Sequence, residues 1–378
     1  MSKKFLFMTV ALFATIFLSG CIGSTAWPGL AGSGEVVYLA NQSAVHAIDA
    51  SNGAELWSFA GVRGGFPLFN TPSLFFTTPV VTEDGLVIIL DSGNKHIMYA
   101  VDPNDVQDKT PAIEWEFTDV QGHWIAAPLI VDNRLFAPNT DGKVYVLDLH
   151  DGQSVKKAVQ VIDLYADADG QPGRLWAQPV TDGSHLFVTS LDHSVFAIDL
   201  QTYKVIWRED LGGAVPGGAA LGSDGMLYVG SLAKQLERFD PATGAHTPVL
   251  DTKGWIWGTP VVDGDNLYFS DYDGYFYSYN MKDAKLNWEP VKPDSAITAS
   301  PLVQADKVLL ATEAGEIYAV DSTGKVDTWY TANNEKAKAY TTPIVAGDYV
   351  LVAYVESDYY LVALDRDGDQ KWTYPPQK

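Results

Sequence analysis

One eleven-residue phrase recurs along the chain and restricts the available folds more than any other feature. It reads AIDASNGAELW at 47–57, AIDLQTYKVIW at 197–207 and AVDSTGKVDTW at 319–329. A step of proline and apolar residues also recurs between Pro28 and Pro343, at intervals of 40 to 51 residues. Self-similarity of this kind is typical of architectures built from equivalent, stacked units.

Each unit carries the signals of four strands. The proline step is followed by a Gly or Asp turn, a strand such as LYVGS at 227–231, an alternating strand that ends in Asp, and a strand that contains tryptophan. Period-two alternation with frequent turn residues indicates antiparallel β-structure. Eight units fit between about Trp27 and Tyr374. The sequence therefore predicts an all-β, eight-bladed β-propeller of four-stranded antiparallel blades.

The parts of the phrase have structural roles. Asp49 ends a strand, where its carboxylate can accept hydrogen bonds from the turn, and Gly53 supplies the positive φ that the turn needs. Trp57 is expected to bury its indole between neighbouring blades, which stabilises the fold by on the order of 4–6 kcal/mol as an upper estimate. The tryptophans in this blade-docking position are Trp57, Trp115, Trp207, Trp288, Trp329 and Trp372.

Two junctions between blades lack this tryptophan. Blade 3 has Val161 or Ile162 nearby and blade 5 has Leu250, so we expect these two junctions to be weaker. The last unit contains all four strand signals by itself. Ring closure is therefore expected to depend on packing of blade 1 against blade 8 rather than on a shared strand.

The N-terminus has the layout of a secretory signal. Two lysines precede an apolar run at 5–18, which is short for a membrane span, and the sequence LSGC ends at Cys21. LSGC resembles the bacterial lipobox, in which cleavage before Cys is accompanied by diacylglyceryl attachment to its thiol. We expect a signal peptide at 1–20, a lipidated tether at 21–26 and the propeller at 27–378. An ordinary signal peptide with a chance cysteine is the alternative.

Charge and cysteine content exclude several classes of protein. The formal net charge of −22 disfavours nucleic acid and anionic lipid headgroups as partners. With Cys21 as the single cysteine, no intrachain disulfide can form. The acidic group Asp365, Asp367 and Asp369 echoes a calcium loop, but its glycine is misplaced for an EF-hand and it coincides with the turn of blade 8. No metal site is expected, and the propeller is expected to be monomeric.

The pattern A-x-D-x-x-T-G-x-x-x-W resembles the repeat of quinoprotein (pyrroloquinoline quinone, PQQ) propellers over the whole mature chain. Within that group, a lipobox followed by eight such blades resembles the BamB family of outer-membrane β-barrel assembly lipoproteins. The resemblance implies a non-enzymatic scaffold that holds envelope proteins or peptide strands. It also implies an extracytoplasmic, membrane-anchored protein, on the periplasmic side of an outer membrane if the organism has one and otherwise on the cell surface.

Two other functions remain open. A PQQ-dependent dehydrogenase resembles this repeat but adds an adjacent-cysteine disulfide, a calcium ion and a longer chain, whereas Cys21 is alone here. We therefore expect no enzyme activity and neither PQQ nor calcium as a cofactor. A propeller lipoprotein that binds carbohydrate or another small ligand is the alternative to the scaffold.

We call the recurring prolines the landmark prolines: Pro28, Pro79, Pro128, Pro179, Pro260, Pro301 and Pro343, with Ala219 in the same position of blade 5. Aromatic residues precede several of them, where first strands should enter the central channel. We predict a binding surface for peptide strands or another apolar ligand at this mouth, together with the apolar linker at 60–74. The alternative is that these rings only fill the wedge between blades. The candidate residues are Phe66, Phe69, Phe76, Trp124, Trp176, Trp255, Trp257 and Tyr340.

Overall fold

The computed structural model describes residues 27–62, 72–149, 160–166 and 172–377. Across these ranges the chain forms eight four-stranded antiparallel sheets, each built from four consecutive strands in chain order. The predicted eight-bladed β-propeller is confirmed. No helix long and apolar enough to cross a membrane is found in the described ranges. The expected signal peptide at 1–20 and tether at 21–26 lie outside them.

The first four blades contain sixteen strands within the described residues. They are β1 Gly29–Ser33, β2 Val36–Asn41, β3 Ala44–Asp49 and β4 Glu55–Phe59 in blade 1; β5 Val80–Val81, β6 Val87–Leu90, β7 Met98–Gln107 and β8 Thr110–Phe117 in blade 2; β9 Leu129–Val131, β10 Arg134–Pro138, β11 Lys143–Asp148 and β12 Gln160–Asp163 in blade 3; β13 Val180–Thr181, β14 His185–Thr189, β15 Ser194–Asp199 and β16 Val205–Asp210 in blade 4.

The other four blades repeat this order. They contain β17 Ala220–Leu221, β18 Leu227–Gly230, β19 Gln235–Phe239 and β20 His246–Asp251 in blade 5; β21 Val261–Asp263, β22 Asn266–Ser270, β23 Phe276–Asn280 and β24 Lys285–Leu286 in blade 6; β25 Leu302–Val303, β26 Val308–Ala311, β27 Glu316–Val320 and β28 Val326–Thr331 in blade 7; β29 Ile344–Ala346, β30 Tyr349–Ala353, β31 Leu361–Leu364 and β32 Gln370–Tyr374 in blade 8.

The position of a strand within its blade determines its burial pattern. First strands of neighbouring blades contact one another, as β17 does with β13 and β21, so they surround the central channel. The second strand β6 is buried on both faces between neighbouring blades, and its four residues are at most 1% exposed. The outer strand β8 alternates instead, with Trp115 and Phe117 buried and Glu114 and Glu116 exposed. A sheet covered on both sides favours continuous apolar strands, whereas a half-covered strand alternates.

Eight hydrophobic clusters hold the described residues together, one at each junction between blades. The cluster between blades 8 and 1 joins Leu351 and Leu361 to Leu30, Val37 and Leu39. Every blade therefore buries both of its faces against its neighbours, including the first blade against the last.

The turn of the repeated phrase is fixed by its aspartate. In blade 1 the Asp49 carboxylate accepts hydrogen bonds from the backbone N–H of Ser51 at 2.8 Å and from Asn52 Nδ2 at 3.0 Å. Gly53 follows with φ 75°, a left-handed conformation that glycine adopts without steric cost. In the paired strands Trp57 lies opposite Ala47, the small residue that begins the phrase.

In four pairs of neighbouring blades, the tryptophan of one blade contacts the turn glycine of the next. A β-carbon at Gly53 in blade 1 would lie 2.6 Å from Cε3 of Trp372 in blade 8, and one at Gly244 in blade 5 would lie 2.9 Å from the Trp207 ring of blade 4. The indole N–H of Trp372 also donates to the carbonyl of Ala50 at 3.0 Å. Blades 7 and 8 repeat the arrangement, because Gly324 lies against Trp288 and Gly368 against Trp329.

The turn glycine is absent where the preceding tryptophan is absent. Blade 4 has Tyr203 in the glycine position, and its ring lies 6.3 Å from that of Phe136 in blade 3. Blade 6 has Ala284 in the same position. Both residues have positive φ, 56° and 51°, so the turn keeps its shape after losing its glycine. That the two junctions without tryptophan are weaker stays a prediction.

Blade 2 extends beyond its neighbours and accounts for part of the wide spacing of the early repeats. Its hairpin of β7 and β8 ends at Asp108 and Lys109, both with positive φ. The carbonyl of Lys109 accepts a hydrogen bond from the Ser58 N–H at 2.9 Å. The tip of the hairpin is therefore hydrogen-bonded to the outer strand of blade 1.

Blade 8 closes the ring with four strands of its own, which matches the expected mode of closure. The Thr341 hydroxyl donates to the carbonyl of Pro28 at 2.6 Å near the channel. Further out, Glu55 Oε2 lies 2.8 Å from His46 Nδ1 and also accepts a hydrogen bond from the Tyr374 hydroxyl. Burial raises the pKa of Glu55, but the hydrogen bonds from Tyr374 and His46 outweigh it and hold the pKa below its usual value.

The lowered pKa of Glu55 predicts an acid-sensitive component of stability. A carboxyl whose pKa is lower when folded stabilises the protein above its unfolded pKa, about 4.3, and loses that contribution as pH falls through the folded pKa. We expect Glu55→Gln to destabilise the protein at pH 7 and the difference from wild type to narrow towards pH 3. Urea unfolding at both pH values measures this difference. A gap that stays constant would contradict the role of the Glu55 charge.

Candidate binding surface at the channel mouth

The two faces of the ring differ in the loops that they carry. The side on which the first strands begin is called the linker face. It bears the segments between blades and the turns between second and third strands. The opposite side, the turn face, bears the remaining turns, including those of the repeated phrase. Hydrogen bonds such as Ser92 N–H to the Leu74 carbonyl, at 2.7 Å, join linkers to turns on the linker face.

The rim of the channel is held by hydrogen bonds from blade to blade. Thr259 Oγ1 accepts from the N–H of Gly218 at 2.7 Å, Ser300 Oγ from that of Thr259 at 3.0 Å, and Thr342 Oγ1 from that of Ser300 at 3.0 Å. These hydroxyl residues lie directly before the landmark prolines of blades 6 to 8. The first strands of blades 5 to 8 are thus fixed relative to one another beneath the mouth.

Aromatic rings from three blades meet above this rim. Trp27, just before blade 1, stacks on Tyr340 of blade 8 with ring centroids 5.4 Å apart and an interplanar angle of 20°. The same indole lies 5.7 Å from Trp257 of blade 6, at 59°. Because blade 6 is three positions from blade 1 around the ring, Trp27 reaches over the channel mouth. Trp27 was not among the predicted site residues. Its position directly before Pro28 was the one sequence feature that could have indicated its place at the mouth.

Four of the predicted residues, each three positions before a recurring proline, lie outside the blade cores. Ring contacts join two of them, Trp257 and Tyr340, through Trp27. Each of the four is half-buried, and none belongs to the eight clusters between blades. The docking tryptophans, by contrast, all lie in those clusters or pack against them. The set, which we call the mouth aromatics, consists of Phe76, Trp176, Trp257 and Tyr340.

Trp124 was also predicted at this surface, and that prediction is wrong. Its side chain is 0% exposed and lies in the cluster between blades 2 and 3. The indole N–H donates to the carbonyl of His96 at 2.9 Å, and the ring lies 5.5 Å from that of Tyr145. Trp124 sits four residues before its landmark proline rather than three, so it faces the core.

Trp255 lies at the edge of the linker face and is 46% exposed. Its ring lies 6.0 Å from that of Tyr272, which is also exposed, and the Tyr272 N–H donates to the Trp255 carbonyl at 2.7 Å. The two rings form an exposed pair on blade 6, separate from the mouth aromatics. The remaining candidates, Phe66 and Phe69, and the lipidation candidate Cys21 lie outside the described residues.

Polar groups lie beside Tyr340, one of the mouth aromatics. Burial raises the pKa of the Tyr340 hydroxyl, and the nearby Glu313 charge raises it further. Burial also raises the pKa of Glu313. Lys338 adds a positive charge close to Tyr340, since the interaction between them raises the lysine pKa. The mouth therefore offers ring faces, a neutral phenol and one ammonium group.

The structure brings together two histidines that are distant in the sequence. The rings of His96 and His123 lie 4.5 Å apart on the linker face between blades 2 and 3. His123 Nδ1 is 3.1 Å from the carbonyl oxygen of Gly93, and His96 Nδ1 contacts that of Gly122. The 27-residue separation in sequence gave no signal for this pair.

In the acidic turn of blade 8, the Asp365 carboxylate is already engaged by groups of the same hairpin. Asp365 Oδ1 accepts hydrogen bonds from the N–H groups of Asp367 and Asp369, both at 3.0 Å, and Oδ2 lies 2.6 Å from Lys371 Nζ. Across the described ranges, no three His, Cys, Asp or Glu side chains are grouped so as to hold a metal ion.

Comparison with known proteins identifies the family. The sequence profile of the family described as "Outer membrane protein assembly factor BamB" matches residues 22–202, 158–247, 191–335 and 291–377. The chain belongs to the BamB family. The overlapping matches are expected for a ring of near-equivalent blades, because the profile can align in more than one register.

Relatives in the BamB family are distant in sequence. The assembly factor BamB of Yersinia pestis is 24% identical over 334 residues, which cover 81% of this chain and 74% of the relative. BamB of Moranella endobia (strain PCIT) is 22% identical over 302 residues, covering 77% and 71%.

Solved structures share the fold. The crystal structure of BamB from Moraxella catarrhalis matches with a TM-score of 0.62 and 18% identity, over 90% of this chain and 91% of that one. The computationally designed Ika8 protein matches with a TM-score of 0.65 and 15% identity, over 93% and 96%. Because a designed protein matches as well as a BamB structure, these likenesses establish the fold alone.

Proposed function

We propose that the chain is a non-catalytic scaffold of outer-membrane protein assembly, anchored to the membrane by a lipid on Cys21 and exposed to the periplasm. The signal peptide at 1–20 directs export, and the propeller holds an envelope protein or a peptide strand at its channel mouth. Family membership and the LSGC sequence before the first blade support this role. The assembly context comes from the relatives, which are outer membrane protein assembly factors.

One observation carries the choice of the mouth as the binding surface. The mouth aromatics are partly exposed and lie outside the clusters that hold the blades together. Rings that only filled the wedge between blades would be members of those clusters, as Trp124 is. Tryptophan and tyrosine are also the residues that most often dominate the free energy of protein–protein binding.

The proposal includes the absence of redox chemistry and of a cofactor. A single cysteine cannot supply the adjacent-cysteine disulfide of quinoprotein dehydrogenases. The acidic turn of blade 8, which most resembles a calcium loop, already satisfies its Asp365 carboxylate with backbone N–H groups and Lys371. These residues do not fit a quinone and calcium centre.

Removing two mouth aromatics tests the scaffold role. In the full-length, membrane-anchored protein, Phe76→Ala with Trp176→Ala is expected to lower recovery of crosslinked envelope proteins about tenfold. The melting temperature should change little, because neither side chain is part of a blade cluster. Crosslinking in intact envelopes followed by pull-down and mass spectrometry measures capture, and thermal unfolding of the same preparation measures stability.

A matched control removes apolar side chains from elsewhere on the surface. Leu56 on β4 and Ile206 on β16 are 44% and 43% exposed, so Leu56→Ala with Ile206→Ala should leave capture unchanged. Unchanged capture by the Phe76 and Trp176 variant, together with a large fall in melting temperature, would show that the rings are structural and would refute the proposal.

A second candidate, binding of a carbohydrate or another small polar ligand, is favoured by a groove of about 540 Å³ between blades 6 and 7. The rings of Tyr268 and Trp288 and the amides of Asn266 and Asn287 line it. Ring faces beside hydrogen-bonding groups suit a sugar. Retention of oligosaccharides and of no protein in the pull-down experiment would favour this function over the scaffold.

A further inference from the structure

We propose that the linker face is turned towards the membrane and that Trp255 and Tyr272 enter the interfacial layer of the bilayer. This inference rests on the lipid anchor at Cys21 proposed above. It goes beyond anchoring, because it states which side of the ring meets the lipid and which side chains touch it.

The length of the tether limits the distance between ring and membrane. Six peptide steps separate Cys21 from Trp27, and a fully extended chain spans at most about 3.6 Å per residue, or about 22 Å in all. Trp27 is fixed on the linker face by its contacts with Tyr340 and Trp257. The anchored end of the chain therefore leaves from the centre of that face and stays within about 22 Å of it.

The same tether cannot place the turn face against the bilayer. From the channel mouth the chain would have to run outward past the four strands of a blade, which lie about 4.8 Å apart. It would then have to cover the depth of the ring, where strands of five or six residues add about 17–20 Å. Together these distances exceed the available length.

Exposed aromatic residues are concentrated on the face that the tether selects. Among the large hydrophobic side chains exposed in the described residues, three are aromatic: Trp255 at 46%, Tyr272 at 38% and Tyr360 at 39%. Trp255 lies in a linker, and Tyr272 and Tyr360 lie in turns between second and third strands, so all three are on the linker face. Tryptophan and tyrosine prefer the membrane–water interface, where their rings are apolar and their polar groups stay hydrated.

Both faces carry carboxylates, and on the linker face Asp273 and Asp358 are exposed in the same turns as Tyr272 and Tyr360. The position of Asp49 in the repeated phrase is an aspartate in seven blades: Asp49, Asp102, Asp148, Asp199, Asp240, Asp321 and Asp365. Hydrogen bonds from turn side chains and backbone N–H groups lower the pKa of four of these carboxyls, so they are ionised at neutral pH. Carboxylates are costly to bring out of water on either face, so the length of the tether and the exposed rings carry the choice of the linker face.

Two single-cysteine labels test the orientation. Cys21 is the only cysteine and is occupied by lipid in the proposed anchor, so an added cysteine is a unique attachment point. Lys253→Cys places a donor dye on the linker face, two residues from Trp255, and Ser322→Cys places one on the turn face. Both positions are exposed, so neither substitution disturbs a core.

The full-length acylated protein is reconstituted into vesicles of phosphatidylcholine and phosphatidylethanolamine that contain an acceptor-labelled lipid. We expect energy transfer at position 253 to exceed that at position 322 about twofold or more, because the depth of the ring separates the labels. Equal transfer at the two positions, or greater transfer at 322, would overturn the proposed orientation.

A second measurement tests lipid contact by the aromatic pair. Brominated lipids should quench part of the tryptophan fluorescence, and Trp255→Ala should remove most of that quenched part, whereas Leu56→Ala should leave it intact. Quenching that is unchanged in Trp255→Ala would refute the contact. Mass spectrometry of Cys21 separates the two proposals: without acylation the anchor fails and the inference with it, whereas acylated protein with reversed labels refutes the orientation alone.

Discussion

Replacing Trp372 with alanine is expected to lower the free energy of unfolding by about 3 kcal/mol. The indole packs against the cluster between blades 8 and 1, lies over Gly53 and donates to the carbonyl of Ala50. Its removal leaves a cavity at the junction that closes the ring and deprives that carbonyl of a hydrogen bond. We expect the melting temperature to fall by about 4 °C, as measured by calorimetry.

The matched control is the same substitution at an exposed tryptophan. Trp255 is 46% exposed and outside the blade clusters, so Trp255→Ala should leave the melting temperature almost unchanged. Equal melting temperatures for wild type and Trp372→Ala would mean that the closing junction does not limit the stability of the ring.

Gly53→Ala is expected to destabilise the same junction from its other side, by about 2–3 kcal/mol. The new β-carbon would lie 2.6 Å from Cε3 of Trp372 and would force the indole or the turn to move. The residue also has φ 75°, which adds about 1 kcal/mol for any residue with a β-carbon. Urea unfolding of the variant measures the sum of these two effects.

Gly34 separates the two effects. It lies in the same blade with φ 60°, and a β-carbon there would have no neighbour within 4 Å. Gly34→Ala should therefore show only the backbone cost, about 1 kcal/mol. In a Trp372→Ala background the cost of Gly53→Ala should fall to the same value. If the Gly53 cost is identical with and without the indole, the contact between turn and tryptophan is not the cause.

The fold could be predicted from the sequence because each blade repeats the same local signals. Turn aspartates, glycines and the alternating third strand act within a few residues of one another, so they can be recognised in one chain. The distinction between Gly53 and Tyr203 could not be predicted in this way. It depends on whether the preceding blade has a tryptophan, which is a contact between repeats and not within one.

The candidate site was only partly predictable, and Trp124 shows why. Residues three before the landmark position are half-buried at the mouth in five blades, whereas those four before it are at most 1% exposed in seven. The latter are Phe75, Trp124, Leu175, Val215, Ile256, Ile297 and Ala339. Extended chain alternates its side chains, so counting residues back from the proline would have placed Trp124 in the core.

Trp27 could not be assigned from the sequence for a different reason. Its partners, Trp257 and Tyr340, are more than two hundred residues away in the chain. Only closure of the propeller brings blade 1 next to blade 8, and no local sequence pattern indicates which aromatic side chains then come into contact.

The pairing of tryptophan with the next blade's glycine makes a repeat that carries both residues complementary to a copy of itself. One unit carries both halves of the contact, the indole on its leading side and the turn on its trailing side. Such a head-to-tail contact is heterologous, and it continues from unit to unit until the rotation between neighbours closes a circle. If the gene segment for one blade were duplicated in tandem, the new blade would therefore already match the docking surface of its neighbour. Tyr203 and Ala284 mark the two places where both halves of the contact have changed together.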